Sequence, residues 1–219
     1  MKSIALKASV CALFLLAGSA HAGSIGTATI NDVTLSGAPS DALSYANGIN
    51  PQSQGKNGGS TGFAKDFASY GSGDWARLAA FDSKADDGTS ISTTKLGSSL
   101  TFTFDKTNGR NGSWTLTNTD LLHAVDLDLV FAIHTGGGSG AWLFDDQQIG
   151  AGQTLNGSWA LNLLNNGRQY SGYSNLTIFG RDFNVIPPTD TKVPEPGTPA
   201  SIVLGLGLLG VMMRRRKSK

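Results

Sequence analysis

Apolar and polar residues alternate with a period of two over much of the chain. Leu100-Thr101-Phe102-Thr103-Phe104 alternates strictly, and Val125 to Ile133 keeps an apolar residue at every odd position. Successive side chains of a strand point to opposite faces, so each run predicts a strand with one buried face. Val125, Leu127, Leu129, Phe131 and Ile133 are expected to face a core, and Asp126 and Asp128 to face solvent or a site. Shorter runs predict strands over 28–35, 76–81, 113–118, 141–144, 158–163 and 175–179. Asn-Gly, Gly-Gly and Asp-Gly breaks separate them and supply the positive φ that tight turns need. Many short strands with such turns predict an all-β chain, a single β-sandwich or jelly-roll-like domain. Helical spacing is weak before residue 200. A short helix is expected around 62–70, after a polar loop over 47–62.

One segment recurs. Asn111-Gly112-Ser113-Trp114 returns as Asn156-Gly157-Ser158-Trp159, 45 residues later. Two copies are too few for a solenoid. Each reads as an Asn-Gly turn launching a strand with an inward tryptophan. The two would be equivalent strands of two sheet halves or independent uses of one turn. A functional alternative makes Trp114, Trp142 and Trp159 an aromatic platform for a sugar. A tryptophan beside apolar alternation is more often core.

The ends carry a different pattern. Lys2 and Lys7 precede an apolar run from Ala8 to Gly18, and Ala20-His21-Ala22 stands before Gly23. A charged start, a short apolar run and small residues at a cleavage point are the layout of a secretory signal peptide. Residues 1–22 are therefore expected to pass the secretion translocon and be removed by signal peptidase between Ala22 and Gly23. Cys11 is the chain's one cysteine, so the mature chain would hold no thiol nucleophile and no disulfide. At the other end, Pro194-Glu195-Pro196 precedes an uncharged apolar run over 200–213, and Arg214-Arg215-Arg216-Lys217 follows it. A helix over 200–213 would be about 21 Å long at ~1.5 Å per residue. That is short of a hydrocarbon core of about 30 Å, although flanking residues and arginine stems can extend it. The basic cluster, residues 214–219, belongs on the cytoplasmic side.

This tail resembles the PEP-CTERM sorting signal of exosortase substrates in Gram-negative bacteria. The residues that carry it are Pro194, Glu195 and Pro196, the run 200–213, and Arg214, Arg215 and Arg216. The resemblance implies export across the inner membrane and transient or lasting anchoring by the C-terminal helix. It further implies recognition by exosortase, then a cell-surface or extracellular destination, often among exopolysaccharide and biofilm producers. The order Phe131 to Gly138, Ala141 to Phe144, Gly157 to Leu161 and Ser174 to Arg181 is also similar to the exported β domain of many PEP-CTERM proteins, which implies no activity. The expected organisation is a signal peptide over 1–22, a Gly- and Asp-rich β domain over 23–190 and the sorting signal over 191–219.

Charge sharpens this division. The chain has 17 basic and 16 acidic residues, yet seven of the bases lie in residues 1–22 and 197–219. Residues 23–196 hold ten bases and all 16 acids, a net charge of −6. No basic stripe is left for nucleic acid, and no phosphate-binding glycine loop occurs. Asp86-Asp87 and Asp145-Asp146 lie in or beside turns. They suit solvated turn acids, or else a weak structural Ca²⁺ site, since Ca²⁺ takes several carboxylate and carbonyl oxygens. No other cofactor is expected.

Catalytic sets are thin. His134 precedes a glycine run and Ser139 follows it, but no nucleophile elbow is present. The domain has no glutamate, and Asp126 and Asp128 on one strand face project in parallel rather than across a sugar ring. The expected function is a non-catalytic surface or matrix protein associated with exopolysaccharide. The alternative is a secreted polysaccharide or ester hydrolase using Ser139, His134 and an aspartate.

Overall fold

The computed structural model describes residues 27–47, 50–51, 62–82, 88–97, 99–136, 138–164 and 169–188. The chain divides into two units, Met1–Pro187 and Pro188–Lys219, and the fold below is that of the first. The predicted signal peptide, the Pro-Glu-Pro motif and the apolar run 200–213 lie outside the described residues. Among the described residues no helix is long and apolar enough to cross a membrane.

The described chain is all-β, in two antiparallel sheets. Its strands are β1 (Val33–Leu35), β2 (Ala38–Pro39), β3 (Ala42–Asn47), β4 (Ala76–Asp82), β5 (Thr89–Thr93) and β6 (Leu100–Asn108). They continue with β7 (Asn111–Asn118), β8 (Ala124–Thr135), β9 (Gly138–Ile149), β10 (Thr154–Ala160) and β11 (Tyr173–Ile186). One sheet runs β2-β1-β10-β7-β6-β5 and the other β3-β9-β8-β11-β4. Their inner faces meet in one core. Phe81 of β4 stacks on Phe104 of β6 with centroids 5.4 Å apart, and Trp114 of β7 lies 4.8 Å from Phe131 of β8. The odd positions Val125 to Ile133 all enter this core, as the alternation predicts.

The even positions differ from expectation. Val130 and Ala132 are buried too, in a second cluster with Ala141, Leu143 and Phe179 on the outer face of the five-stranded sheet. Phe63, Phe67 and Trp75 cover that face. The short helix expected at 62–70 is instead a run of turns, with Phe67 N–H bonded to Phe63 O at 3.1 Å and Tyr70 N–H to Phe67 O at 3.2 Å. Ser44 of β3 ties this cover down by donating to Asp66 Oδ2 at 2.6 Å. Strands buried on both faces read as continuous apolar runs rather than alternating ones. Val130-Phe131-Ala132-Ile133 and Ala141-Trp142-Leu143-Phe144 are such runs.

The repeated Asn-Gly-Ser-Trp segments are neither turns nor members of different sheets. They lie in β7 and β10, adjacent in one sheet, and pair with each other: Gly112 with Trp159, Ser113 with Ser158, Trp114 with Gly157. Each glycine thus sits opposite the other segment's tryptophan. A Cβ on Gly157 would fall 2.1 Å from Trp114 Nε1, and one on Gly112 would fall 2.8 Å from Trp159 Nε1. Each indole crosses the bare backbone to the strand beyond. Trp114 Nε1 donates to Thr34 O of β1 at 3.1 Å, and Trp159 Nε1 donates to Asp105 O of β6 at 3.2 Å. A glycine inside a strand marks this kind of close approach, and a buried indole N–H needs its acceptor.

Gly157→Ala would force Trp114 out of its rotamer or β1 away from β10, because the added Cβ would also lie 2.4 Å from Thr34 O. The expected loss is at the upper end of overpacking costs, about 3 kcal/mol. Urea unfolding followed by tryptophan emission measures it. A Gly37→Ala control, at an exposed turn with open space around the Cβ but φ of +81°, should cost less.

Candidate functional site

The tryptophans set apart as a sugar platform are core residues. Trp114, Trp142 and Trp159 are 1%, 0% and 1% exposed, so their faces are closed to a ligand. Trp142 Nε1 donates to Thr29 O at 2.9 Å and pins the start of the described chain to β9.

His134 and Ser139 do meet. They pair across β8 and β9, with Nδ1 2.9 Å from Oγ. Ser139 is 3% exposed. A nucleophile must reach its substrate, and this hydroxyl is buried. The contact is a cross-strand hydrogen bond beside the glycine hairpin.

The acids give the densest chemistry. Asp86 and Asp87 lie outside the described residues. Asp145 and Asp146 converge with Asp128, one carboxylate oxygen of each lying within 4.8 Å of the others. Two β-bulges make this convergence. The register between β8 and β9 shifts between Leu127 and Leu129, and Asp146 takes φ of +48° there. The register between β8 and β11 shifts between Arg181 and Asn184, and Asp182 takes φ of +50°. Aspartate tolerates this left-handed conformation better than most residues. The bulges therefore bring Asp145, Asp146 and Asp182 around Asp128, which simple alternation would not do.

Asp128 was expected to face solvent or a site; it is 1% exposed and paired. Arg181 Nε donates to its Oδ2 at 2.8 Å, and Asp182 Oδ2 lies 3.7 Å from the same nitrogen. The Arg181 guanidinium also donates through Nη2 to Phe67 O at 3.1 Å and lies 4.3 Å over the Trp75 ring. One buried cation thus joins β11, β8 and the covering segment. Gly71 leaves room for it: a Cβ there would sit 3.0 Å from both Arg181 Nη2 and Asp128 Oδ2. Asp146 N–H donates to Asp128 Oδ1 at 3.1 Å. Asp145 has a buried Oδ1 without a hydrogen-bond partner. Burial first, then the Asp128 charge and the hydrogen bond shared with it, push the Asp145 carboxyl up to about 6. Asp146 and Asp41 add to the same shift.

Two clefts stand out among the described residues, the first of them beside this cluster. One of about 220 Å³ borders Ala64, Ala68, Trp75 and Arg181. Another of about 480 Å³ opens at the β6–β7 hairpin and is lined by Asn108, Arg110, Asn111, Leu161 and Asn162. Arg110 lies 4.5 Å over the ring of Tyr170, which is 47% exposed. Neither cleft is lined by His134 or Ser139. Alternation did not point to the hairpin cleft: Asn111 belongs to the repeated segment, but there it reads as a turn residue, and the other polar residues lie in no motif.

Fold and chemistry define an all-β domain with a buried ion-pair cluster and a polar hairpin cleft. Residues 192–217 match the PEP-CTERM protein-sorting motif, so the chain carries the C-terminal sorting signal of exosortase substrates. The motif implies export and processing by exosortase. No curated protein and no solved structure matches the chain.

Two measurements test the cluster. Asp128→Ala would leave buried Arg181 with only its longer ion pair to Asp182, and should cost about 3 kcal/mol in chemical unfolding. Asp145 behaves oppositely. Its folded carboxyl holds a proton up to about pH 6, against 3.8 for the free group. The folded state therefore binds more protons between these values, and stability falls as pH rises through that window. Asp145→Asn should raise stability at pH 7 by on the order of 1–2 kcal/mol, allowing for solvent screening. The gain should vanish near pH 4, as melting temperatures of both proteins across pH 4–7 will record.

Proposed function

We propose that this chain is an exported, non-catalytic cell-surface or extracellular-matrix protein, sorted by exosortase and associated with exopolysaccharide. The observation that carries the reading is the sorting motif at 192–217, attached to a β domain whose Ser139 hydroxyl is buried. In this reading residues 1–22 are removed during export, with cleavage between Ala22 and Gly23. Pro194, Glu195 and Pro196 are what exosortase recognises, and the run 200–213 with Arg214, Arg215 and Arg216 holds the chain in the inner membrane until then. The domain keeps its jelly-roll-like sandwich on the outer side. It needs no cofactor, and a Ca²⁺ ion at Asp145 and Asp146 would act only as a structural counter-charge. The hydrolase alternative keeps the His134–Ser139 hydrogen bond as its support, although neither described cleft is lined by the pair.

A polysaccharide would meet the hairpin cleft. Asn108 Oδ1 already accepts from Arg110 N–H and Asn111 N–H, and Asn162 Nδ2 donates to Asp32, so Asn108 Nδ2, Asn162 Oδ1 and the Asn111 amide are the groups that would meet sugar hydroxyls, with the Tyr170 ring and Arg110 as a stacking surface.

Intact mass of protein recovered from cells and from medium tests the sorting. The expected species lack residues 1–22, and the medium form also lacks the tail. A full-length cytosolic protein would overturn the reading. Co-sedimentation with the producer's own exopolysaccharide tests the association. Arg110→Ala with Tyr170→Ala should reduce the bound fraction about tenfold, and equal retention by wild type and variant would remove the cleft from the proposal.

A further inference from the structure

The most exposed large apolar residues described are neighbours. Leu121 and Leu122, in the β7–β8 turn, are 79% and 68% exposed. A solvent-facing turn needs no such pair, and this one is held rigidly. Asp120 Oδ1 accepts from Leu122 N–H at 2.8 Å and from His123 N–H at 3.1 Å, and its Oδ2 lies 2.8 Å from His123 Nδ1. The first of these bonds, then the His123 ring, holds the Asp120 carboxyl below its usual range. Asn118 Nδ2 braces the base of the turn by donating to His123 O at 2.8 Å and Gly150 O at 3.1 Å. Gly152 N–H donates to Asp120 O at 2.8 Å, which locks the β9–β10 turn alongside.

The turn has a definite place in the fold. Ala124, two residues after Leu122, pairs with Ile186 at the end of β11. The chain therefore leaves the domain beside the two leucines. Val185, 39% exposed, is on the same stretch of β11. The β6–β7 hairpin lies at the other end, where Gly109 O accepts from Tyr173 N–H at 3.0 Å at the start of β11. The strand between them has 14 residues, about 45 Å at ~3.3 Å per residue. Only residues 187–199 separate the exit from the apolar run 200–213.

We propose that Leu121 and Leu122 form a wedge that docks into the surface of the lipid bilayer while the sorting tail holds the chain there. The inference rests on the anchored state of the proposed function. Each leucine that enters the acyl boundary leaves water, and a short tether raises the effective concentration of the surface, so a shallow wedge suffices. The domain's net charge of −6 and the ionised Asp120 oppose anionic headgroups. The occupant is therefore a zwitterionic lipid surface. Docking would turn the hairpin cleft outward.

The test uses the exported chain, residues 23–219, which has no cysteine of its own, reconstituted in phosphatidylcholine vesicles. An environment-sensitive fluorophore is attached through Leu121→Cys, or through Asn111→Cys at the opposite end as a control. Flotation with the vesicles reports the tether. Among floated protein, the label at 121 should shift to the blue and be quenched by nitroxide lipids, while the label at 111 should do neither. Leu122→Ser in the 121-labelled chain should lower the ratio of docked to free domain about tenfold with flotation unchanged. Equal, unquenched emission at both positions overturns the wedge and leaves the anchored reading standing. Failure to float overturns both. A blue shift without lipid quenching that weakens on dilution places a second copy at the turn and also overturns the wedge.

Discussion

The six-stranded sheet depends on two indoles lying across two glycines. Trp114 passes over Gly157 to reach β1, and Trp159 passes over Gly112 to reach β6. Each indole therefore ties together three strands, beyond the two that the ladder would join. Phe104 stacks on Trp159 at 5.3 Å, Trp114 lies 5.9 Å from Phe144, and both contacts extend the same interaction through the core. Slipping β7 against β10 by one residue would set each Trp opposite a serine or an asparagine and turn Trp114 to the wrong face. The register of the sheet is thus written in the relation between two short segments 45 residues apart.

The other sheet is organised by a buried charge. β8, β9 and β11 have apolar side chains on both faces, and the outer face needs a cover. Turns can supply one only if they are held. Arg181 holds them, with a carboxylate from β8, a carbonyl from the cover and an indole stacked beneath. Such an arrangement adds little net stability over an apolar one but fixes a single placement. The bulges that seat Arg181 and Asp128 also crowd acids together, and the protonation of Asp145 is the physical consequence.

The domain has two unlike ends. One carries the chain exit and a rigid turn with two bare leucines; the other carries a polar cleft with an exposed tyrosine. Antiparallel connectivity produces this polarity, because β8 begins beside the end of β11 and the β6–β7 hairpin reaches the start of β11.

Much of this was legible in the residues themselves. Period-two alternation located β6, β7 and the inner face of β8, and the composition of the tail announced the sorting signal. The repeat was visible too, but not its meaning, since a pairing of two distant segments is not a local property. Alternation left Asp128 between solvent and a site, and it overlooked the outer cluster. A residue's environment depends on what packs against its face, and bulges change which face that is. The convergence of Asp145 and Asp146 with Asp128, the cover over β8, and the closing of Ser139 were decided by tertiary structure. Local spacing determines which residues can form a strand and which end segments can address a membrane. Partners, registers and exposure arise only when distant segments compete for the same apolar surface.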